Sequence, residues 1–220
     1  MARLDQLNLA GQMAAGLGHE VRNPMTTVRG FLQMMGQKES DTKRQEYFKL
    51  MISELDRANA IISEFLNLAG NKRVEPELLN INNILEQIYP LLSADSIKKD
   101  QQIILHLHDI PNLIADGKEL RQLIINLVKN GLEAMPAGRS LKIKTYPDGE
   151  TIVLTIQDEG PGIKREIIDK LGTPFVTTKD TGTGLGLPVC YSIANRNQAT
   201  IDFETGASGT TFYVRFKVPN

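Results

Sequence analysis

Cysteine is nearly missing from these 220 residues: Cys190 stands alone, which excludes an internal disulfide and fits a reducing compartment. Its place in an apolar helical stretch reads as a buried small residue, and it is assigned no role. An excess of either charge is missing too. With 25 basic and 26 acidic residues the formal net charge is −1, and no long run of one sign occurs, so nothing marks the chain for nucleic acid or an anionic membrane. The expected partner is a small molecule or a protein. Long hydrophobic runs are absent: although 41% of the residues are apolar, no stretch approaches the roughly 18 consecutive apolar residues of a membrane span. The N-terminus also lacks the basic start and apolar run of a signal peptide. The chain is expected to be soluble as it stands, with any membrane attachment in segments it does not contain. Metal-binding clusters are lacking as well. His106 and His108 fall on one face of an alternating stretch with no third ligand in reach, and read as solvated strand surface.

What is present is organised in two parts. Leu7, Ala10, Ala14, Leu17, Val21, Pro24, Val28, Phe31 and Met35 follow a 3,4 repeat, and His19 lies opposite that seam, on the solvent face. Phe48, Met51, Leu55, Ala58, Ile62, Phe65 and Ala69 repeat the pattern over 42–69, across a short polar connection at 36–42. The two helices should form an antiparallel hairpin. A hairpin has one narrow apolar stripe per helix and no further layer, so a symmetric dimer giving a four-helix bundle is the expected solution; packing onto the second domain is the alternative. Glycine, charge and proline over 70–76 mark a linker. The expected domains are 1–70, a linker at 71–79, and 80–220.

In the second part, a helix is expected from Asn80 to Ile97, followed by a strand through Ile103, Leu105 and Leu107. Asp116, with Glu119 three residues on, reads as an N-cap and its capping-box partner for a helix reaching Met135. Strands at 140–146 and 151–157 flank the turn signal Pro147-Asp148-Gly149, and a helix at 185–195 precedes strands at 199–204 and 210–218. The sum is an α/β sandwich: one mixed, mostly antiparallel sheet with helices on one face.

Chemistry concentrates in a few places. His19 has Glu20 beside it, Asn23 one turn on, and Pro24, which removes the donor to the Glu20 carbonyl. Gly182-Thr183-Gly184-Leu185-Gly186 is a glycine-rich turn opening a helix, where backbone N–H groups can hold phosphate. It is not a P-loop, because no Gly-Lys-Ser/Thr follows. Asn126 and Asn130 lie one turn apart on one helix, Asp158-Glu159-Gly160-Pro161-Gly162 ends a strand, and Gly209-Thr210 opens the last one.

The run His19-Glu20-Val21-Arg22-Asn23-Pro24 resembles the H-E-x-x-N-P phosphoacceptor box of the sensor histidine kinases of two-component systems. The four later motifs, in order, resemble the N, G1 and G2 boxes and closing G-T motif of the ATP-binding fold shared by histidine kinases, gyrase, Hsp90 and the mismatch-repair ATPases. The resemblance runs from about Leu7 to the C-terminus. It implies that Asp158 selects adenine by accepting its exocyclic amine, steadied by Thr210, while Gly160 and Gly162 let the backbone approach the ring. It further implies that Asn130 binds Mg²⁺ with Asn126 and Lys129 as helpers, and that Gly182, Gly184 and Gly186 cradle the phosphates of ATP. Thr173-Pro174-Phe175-Val176-Thr177-Thr178-Lys179 resembles the P-F-x-T-T-K lid of one histidine-kinase subgroup, with Lys179 set against the γ-phosphate.

Asn126 stands where ATP-hydrolysing relatives carry a glutamate. An amide cannot act as the base that activates water, so the phosphoryl acceptor is expected to be His19, with Glu20 orienting the ring and taking its proton. Where the family often has a basic residue this chain has Glu133, as does the subgroup with that lid, so phosphate contact is expected to rest more on Lys179 and backbone donors. The box and lid together look like those of the sporulation kinases of spore-forming Gram-positive bacteria. This implies a homodimer, an aspartate of a response-regulator receiver domain as phosphoryl recipient, and a small inhibitor protein docking on the bundle. The alternatives are a degenerate kinase serving as an ATP-responsive scaffold and a coiled-coil adaptor fused to an ATPase.

Overall fold

The chain divides into two units, residues 1–72 and 73–220. The computed structural model describes residues 21–69, 74–179 and 182–218.

The first unit is a helical hairpin of α1 (21–38) and α2 (Thr42–Ala69). The connection is shorter than expected, because α1 continues through Gly36 to 38. Glu39 takes over the turn: its Oε1 accepts the N–H groups of Ser40 at 3.0 Å and Asp41 at 3.1 Å, and Asp41 Oδ1 caps α2 by accepting the Arg44 N–H at 3.0 Å. Pro24 lies inside the described part of α1, while the Glu20 carbonyl it deprives of a donor is outside the described residues. The helices meet on a partly polar stripe. Met25, Arg29, Leu32 and Gly36 of α1 are half-buried, Arg22 donates to Asn59 and Ser63 at 3.3 Å each, and Arg29 grips Asp56 at 2.7 and 3.3 Å. The 3,4 repeat of α1 lies elsewhere on the helix. Val21, Val28, Phe31 and Met35 are exposed, Phe31 by 59%.

In the second unit a five-stranded sheet runs in the order β2-β4-β5-β7-β6, formed by β2 (Gln102–Leu107), β4 (Ser140–Asp148), β5 (Thr151–Gln157), β6 (Thr200–Gly206) and β7 (Gly209–Lys217). Only β2 and β4 are parallel, joined by a crossover through α4 (Gly117–Ala134); every other pair is antiparallel, as expected. With α4, helices α3 (Ile81–Ile97) and α6 (Gly186–Arg196) pack against the sheet. Two three-residue strands, β1 (Glu77–Leu79) and β3 (Leu113–Ala115), pair antiparallel, so 77–79 is strand where the sequence reading has linker. A short α5 (Arg165–Ile168) was likewise not foreseen. Pro147 stays in the β4 ladder opposite Ile152, and the turn moves on to Gly149, whose φ of +57° suits glycine.

The core forms where helix stripes meet the inward strand positions. Leu85 and Leu92 of α3, Leu123 and Leu127 of α4, and Val189 and Ile193 of α6 are buried, as are Leu141, Ile143, Ile152, Leu154, Val214 and Phe216 in the sheet. Each such side chain contributes about 1.5–3 kcal/mol on leaving water. β5 is buried on both faces. Val153 and Thr155 point away from that core and are flanked in register by Tyr146 and Arg215 and by Lys144 and Tyr213, with the Arg215 guanidinium 5.2 Å from the Tyr213 ring centroid.

Both ends of α4 are fastened by side chains. Asp116 Oδ1 accepts the N–H groups of Lys118 at 2.9 Å and Glu119 at 3.1 Å, and the Gln101 amide donates to the carbonyls of Leu132 and Met135 at 2.9 and 2.7 Å. Glu119 does not complete a capping box. The Asp116 N–H donates instead to Asn197 Oδ1 at 2.8 Å, and the buried Glu119 carboxylate binds Asn197 Nδ2 and Arg196 across on α6, at 2.8 Å each. A long-range ion pair has replaced the local hydrogen bond. Among the described residues no helix is long and apolar enough to cross a membrane.

Candidate functional site

The end of β5 is tied to the start of β7. The Asp158 N–H donates to the Thr210 carbonyl at 2.9 Å, and Asp158 Oδ1 accepts the N–H of Gly160 at 2.8 Å and of Thr210 at 3.2 Å. Both donors go to Oδ1, which leaves Oδ2 with acceptor capacity for a ligand amine. Burial pushes the Asp158 carboxyl above the usual carboxylate range, with the donors from Gly160 and Thr210 and the Lys179 charge pulling the other way. Gly162 follows at φ +76°, against the Gly206 carbonyl, where a Cβ would collide. Thr205 Oγ1 accepts the Ile163 N–H at 2.8 Å and stands 3.0 Å from the Thr210 hydroxyl, stapling the segment after Asp158 to the β6–β7 hairpin.

Helix α4 supplies the opposite wall. The Asn126 side-chain oxygen accepts from Gln122 at 2.8 Å, and its Nδ2 donates to the Gly186 carbonyl at 3.3 Å. Asn130 is half-buried, with Nδ2 4.0 Å from where a Cβ on Gly186 would sit, and Lys129 is exposed. The first turn of α6 has no side-chain cap; the Leu185 N–H donates to Thr183 Oγ1 at 3.2 Å and Pro188 has no N–H, so Gly186 and Leu187 supply the backbone donors that, with the positive dipole end, face an anion. Cys190 behaves as expected. It is buried on α6, 3.7 Å from the Leu123 carbonyl, and burial pushes its thiol up to about 12.

The segment between these walls is held by its own backbone. The Phe175 N–H donates to the Gly184 carbonyl at 3.1 Å, and Gly184 adopts φ +68° against the Phe175 main chain, where no Cβ fits. Phe175 itself has φ +65° and is 60% exposed. The Lys179 N–H donates to Thr177 Oγ1 at 3.1 Å, and the Gly182 N–H to the Lys179 carbonyl at 3.2 Å. The Lys179 ammonium is ion-paired with Glu133 of α4.

Asn126, Asn130, Asp158, Gly160, Gly162, Lys179, Gly182, Gly184, Gly186 and Thr210 thus fall on one connected set of contacts in the second unit. His19 and Glu20 lie outside the described residues, and Asn23 is exposed on α1, its carbonyl accepting the Thr27 hydroxyl at 3.1 Å. Two participants were not foreseen. Thr205 is paired with Thr210 only through the hairpin register, which Gly206 and Gly209 could have given. Gly131 lets α4 approach Asp158, since a Cβ there would lie 3.3 Å from the Asp158 Cβ. The sign of Glu133 is legible in the sequence, while its Lys179 partner is not.

Two family models match the chain: His Kinase A (phospho-acceptor) domain over residues 9–71, and histidine kinase-, DNA gyrase B- and HSP90-like ATPase over residues 115–220. Sporulation kinase C of Bacillus subtilis (strain 168) is 37% identical over 218 residues, covering 97% of this chain and 50% of the relative. Sporulation kinase A of the same strain is 36% identical over 219 residues, covering 98% of this chain and 36% of the relative. The chain therefore spans half or less of the length of these two curated relatives. Among solved structures, histidine kinase ThkA in complex with response regulator protein TrrA superposes with a TM-score of 0.72 at 26% identity, covering 99% of this chain and 64% of that one.

Proposed function

Because this chain belongs to the sensor histidine kinase family, we propose that it transfers the γ-phosphoryl group of ATP to His19 and passes it on to an aspartate of a response-regulator receiver domain. The observation that carries this reading is the convergence of Asp158, the α4 asparagines, the lid and the uncapped start of α6 on one cradle. Asp158 Oδ2 accepts the adenine amine while Thr210 holds Oδ1 in place. The α6 N-terminus and its glycines take the phosphates, and Lys179 offsets γ-phosphate charge.

Among the described residues no group of three or more His, Cys, Asp or Glu could hold a metal. Mg²⁺ does not need one, because it keeps waters and takes oxygens from a triphosphate, so the half-buried amide of Asn130 is a fitting protein ligand. When bound, the ion would neutralise phosphate charge. Asn126 is engaged through both its oxygen and its nitrogen, which suits a holding role rather than that of a base.

In the proposed step a ring nitrogen of His19 forms a bond to the γ-phosphorus as the bond to the β,γ-bridging oxygen breaks. ADP leaves with the electron pair, and the proton on the other ring nitrogen passes to Glu20. Asn23 would orient water for the reverse, dephosphorylating reaction. The exposed apolar residues Val28, Phe31, Met34 and Met35 of α1, with Leu50 and Met51 of α2, support a homodimer closing through the hairpins. The same bundle would receive the receiver domain and a small inhibitor protein. The reaction is proposed for the cytoplasm, where ATP is available.

Incubation with γ-labelled ATP and Mg²⁺ tests this reading, beside His19→Gln and Asn130→Asp. Acid-labile, alkali-stable label on the parent, absent from both variants, is expected. Label that survives His19→Gln would overturn the acceptor, and an unlabelled parent would overturn the activity.

A further inference from the structure

Glu133 sits one turn beyond Asn130 on α4, where a carboxylate beside a triphosphate would be repulsive, and it is not idle there. Its Oε2 holds the Nζ of Lys179, with side chains 45% and 34% exposed. The lysine backbone is fixed on both sides, its N–H on Thr177 Oγ1 and its carbonyl taken by the Gly182 N–H. The ammonium therefore exchanges partners by side-chain rotation, with no need to move the lid main chain. The Lys179 charge also pulls the Asp158 carboxyl downward, against the effect of burial.

We infer that Glu133 sets the discrimination between ATP and ADP: it is an internal competitor for Lys179 that a γ-phosphate displaces and that ADP, lacking that group, leaves in place. The inference rests on the proposed role of Lys179 toward the γ-phosphate. A triphosphate offers Lys179 more charge than one carboxylate, so the pair breaks for ATP at a modest cost and stays closed for ADP. Glu133 touches no reacting atom and acts through Lys179.

The test is competition binding of Mg-ATP and Mg-ADP to the full chain and to Glu133→Gln, Lys179→Met and the double variant. Glu133→Gln is expected to tighten ATP about three- to fivefold, the range of a half-exposed ion pair, with ADP changed less than about twofold. Lys179→Met is expected to weaken ATP about tenfold and spare ADP. In the double variant the gain from Glu133→Gln should vanish. A gain that persists without Lys179 would mean direct repulsion, and one shared equally by ATP and ADP would mean a structural role; either overturns the inference alone. An unchanged ATP/ADP ratio in Lys179→Met would overturn the reading of Lys179 and the inference with it. A purely structural role for Glu133 would move both nucleotides together, in the same direction.

Discussion

Asp158 shows how one side chain can be costly to the fold and yet be the one on which the proposed site depends. Burial raises its folded pKa above the unfolded value, so the stability it contributes is present below the unfolded pKa and is lost as pH rises through the folded one. At neutral pH the ionised group is therefore a net cost. Asp158→Asn keeps an oxygen for the Gly160 and Thr210 N–H groups and removes the charge. Its melting temperature at pH 7 should equal or exceed the parent's, while ATP affinity falls about 10- to 100-fold with the loss of a charge-assisted acceptor. Calorimetry beside nucleotide binding checks the pair of effects. A variant that binds ATP normally, or one that binds poorly because it has unfolded, would refute the argument. In the parent, binding should weaken on acidification at a higher pH than an ordinary carboxylate would give. At this scale the candidates were legible: Asp158, Asn130 and the glycines stand out by residue type and spacing. Thr205 and the Glu133–Lys179 pair were not, because each depends on a partner distant in sequence.

Among the elements, α4 organises the second unit, since it bears Asn126 and Asn130 and is fastened at both ends by side chains from outside the helix. One of its links to α6 is the pair of buried Glu119 with half-buried Arg196, with Asn197 donating to the same carboxylate. Arg196→Ala would strand a carboxylate that is 2% exposed, a change costing about 3–5 kcal/mol, or roughly 10 °C in the transition of a unit this size. Replacing both partners, as Glu119→Leu with Arg196→Met, should recover most of the loss, because the isolated buried charge is what costs. Thermal denaturation of the single and double variants decides it; equal losses in the two would assign the effect to packing. Helices α3 and α4 were readable from Asn80 and Asp116, whose caps are local. The strands β1 and β3 were not, since three residues carry no period, and Glu119 misled because a capping box and a tertiary ion pair begin with the same residues.

For the whole molecule, the informative surface is the one the single chain leaves uncovered. Leu7, Ala10, Ala14 and Leu17 of the 3,4 repeat lie outside the described residues; over 21–35 the hairpin closes on Arg22 and Arg29 with Asn59, Ser63 and Asp56, and Val28, Phe31 and Met35 remain exposed. A sequence shows which residues are apolar and cannot show which neighbour covers them. If a second chain does, its symmetry buries each residue twice. Phe31→Glu with Met35→Glu would then remove two apolar contacts per protomer and set like charges across the axis, weakening association by at least about 100-fold at about 1.5–3 kcal/mol per buried side chain. Sedimentation should give the parent twice its chain mass of 24.4 kDa and the variant that mass once. Helical content should be retained, because Phe31 and Met35, exposed by 59% and 55%, add little to the hairpin itself. A parent that sediments as a monomer at every concentration, or a variant that stays dimeric, would remove this face from the interface and leave the stripe to another partner.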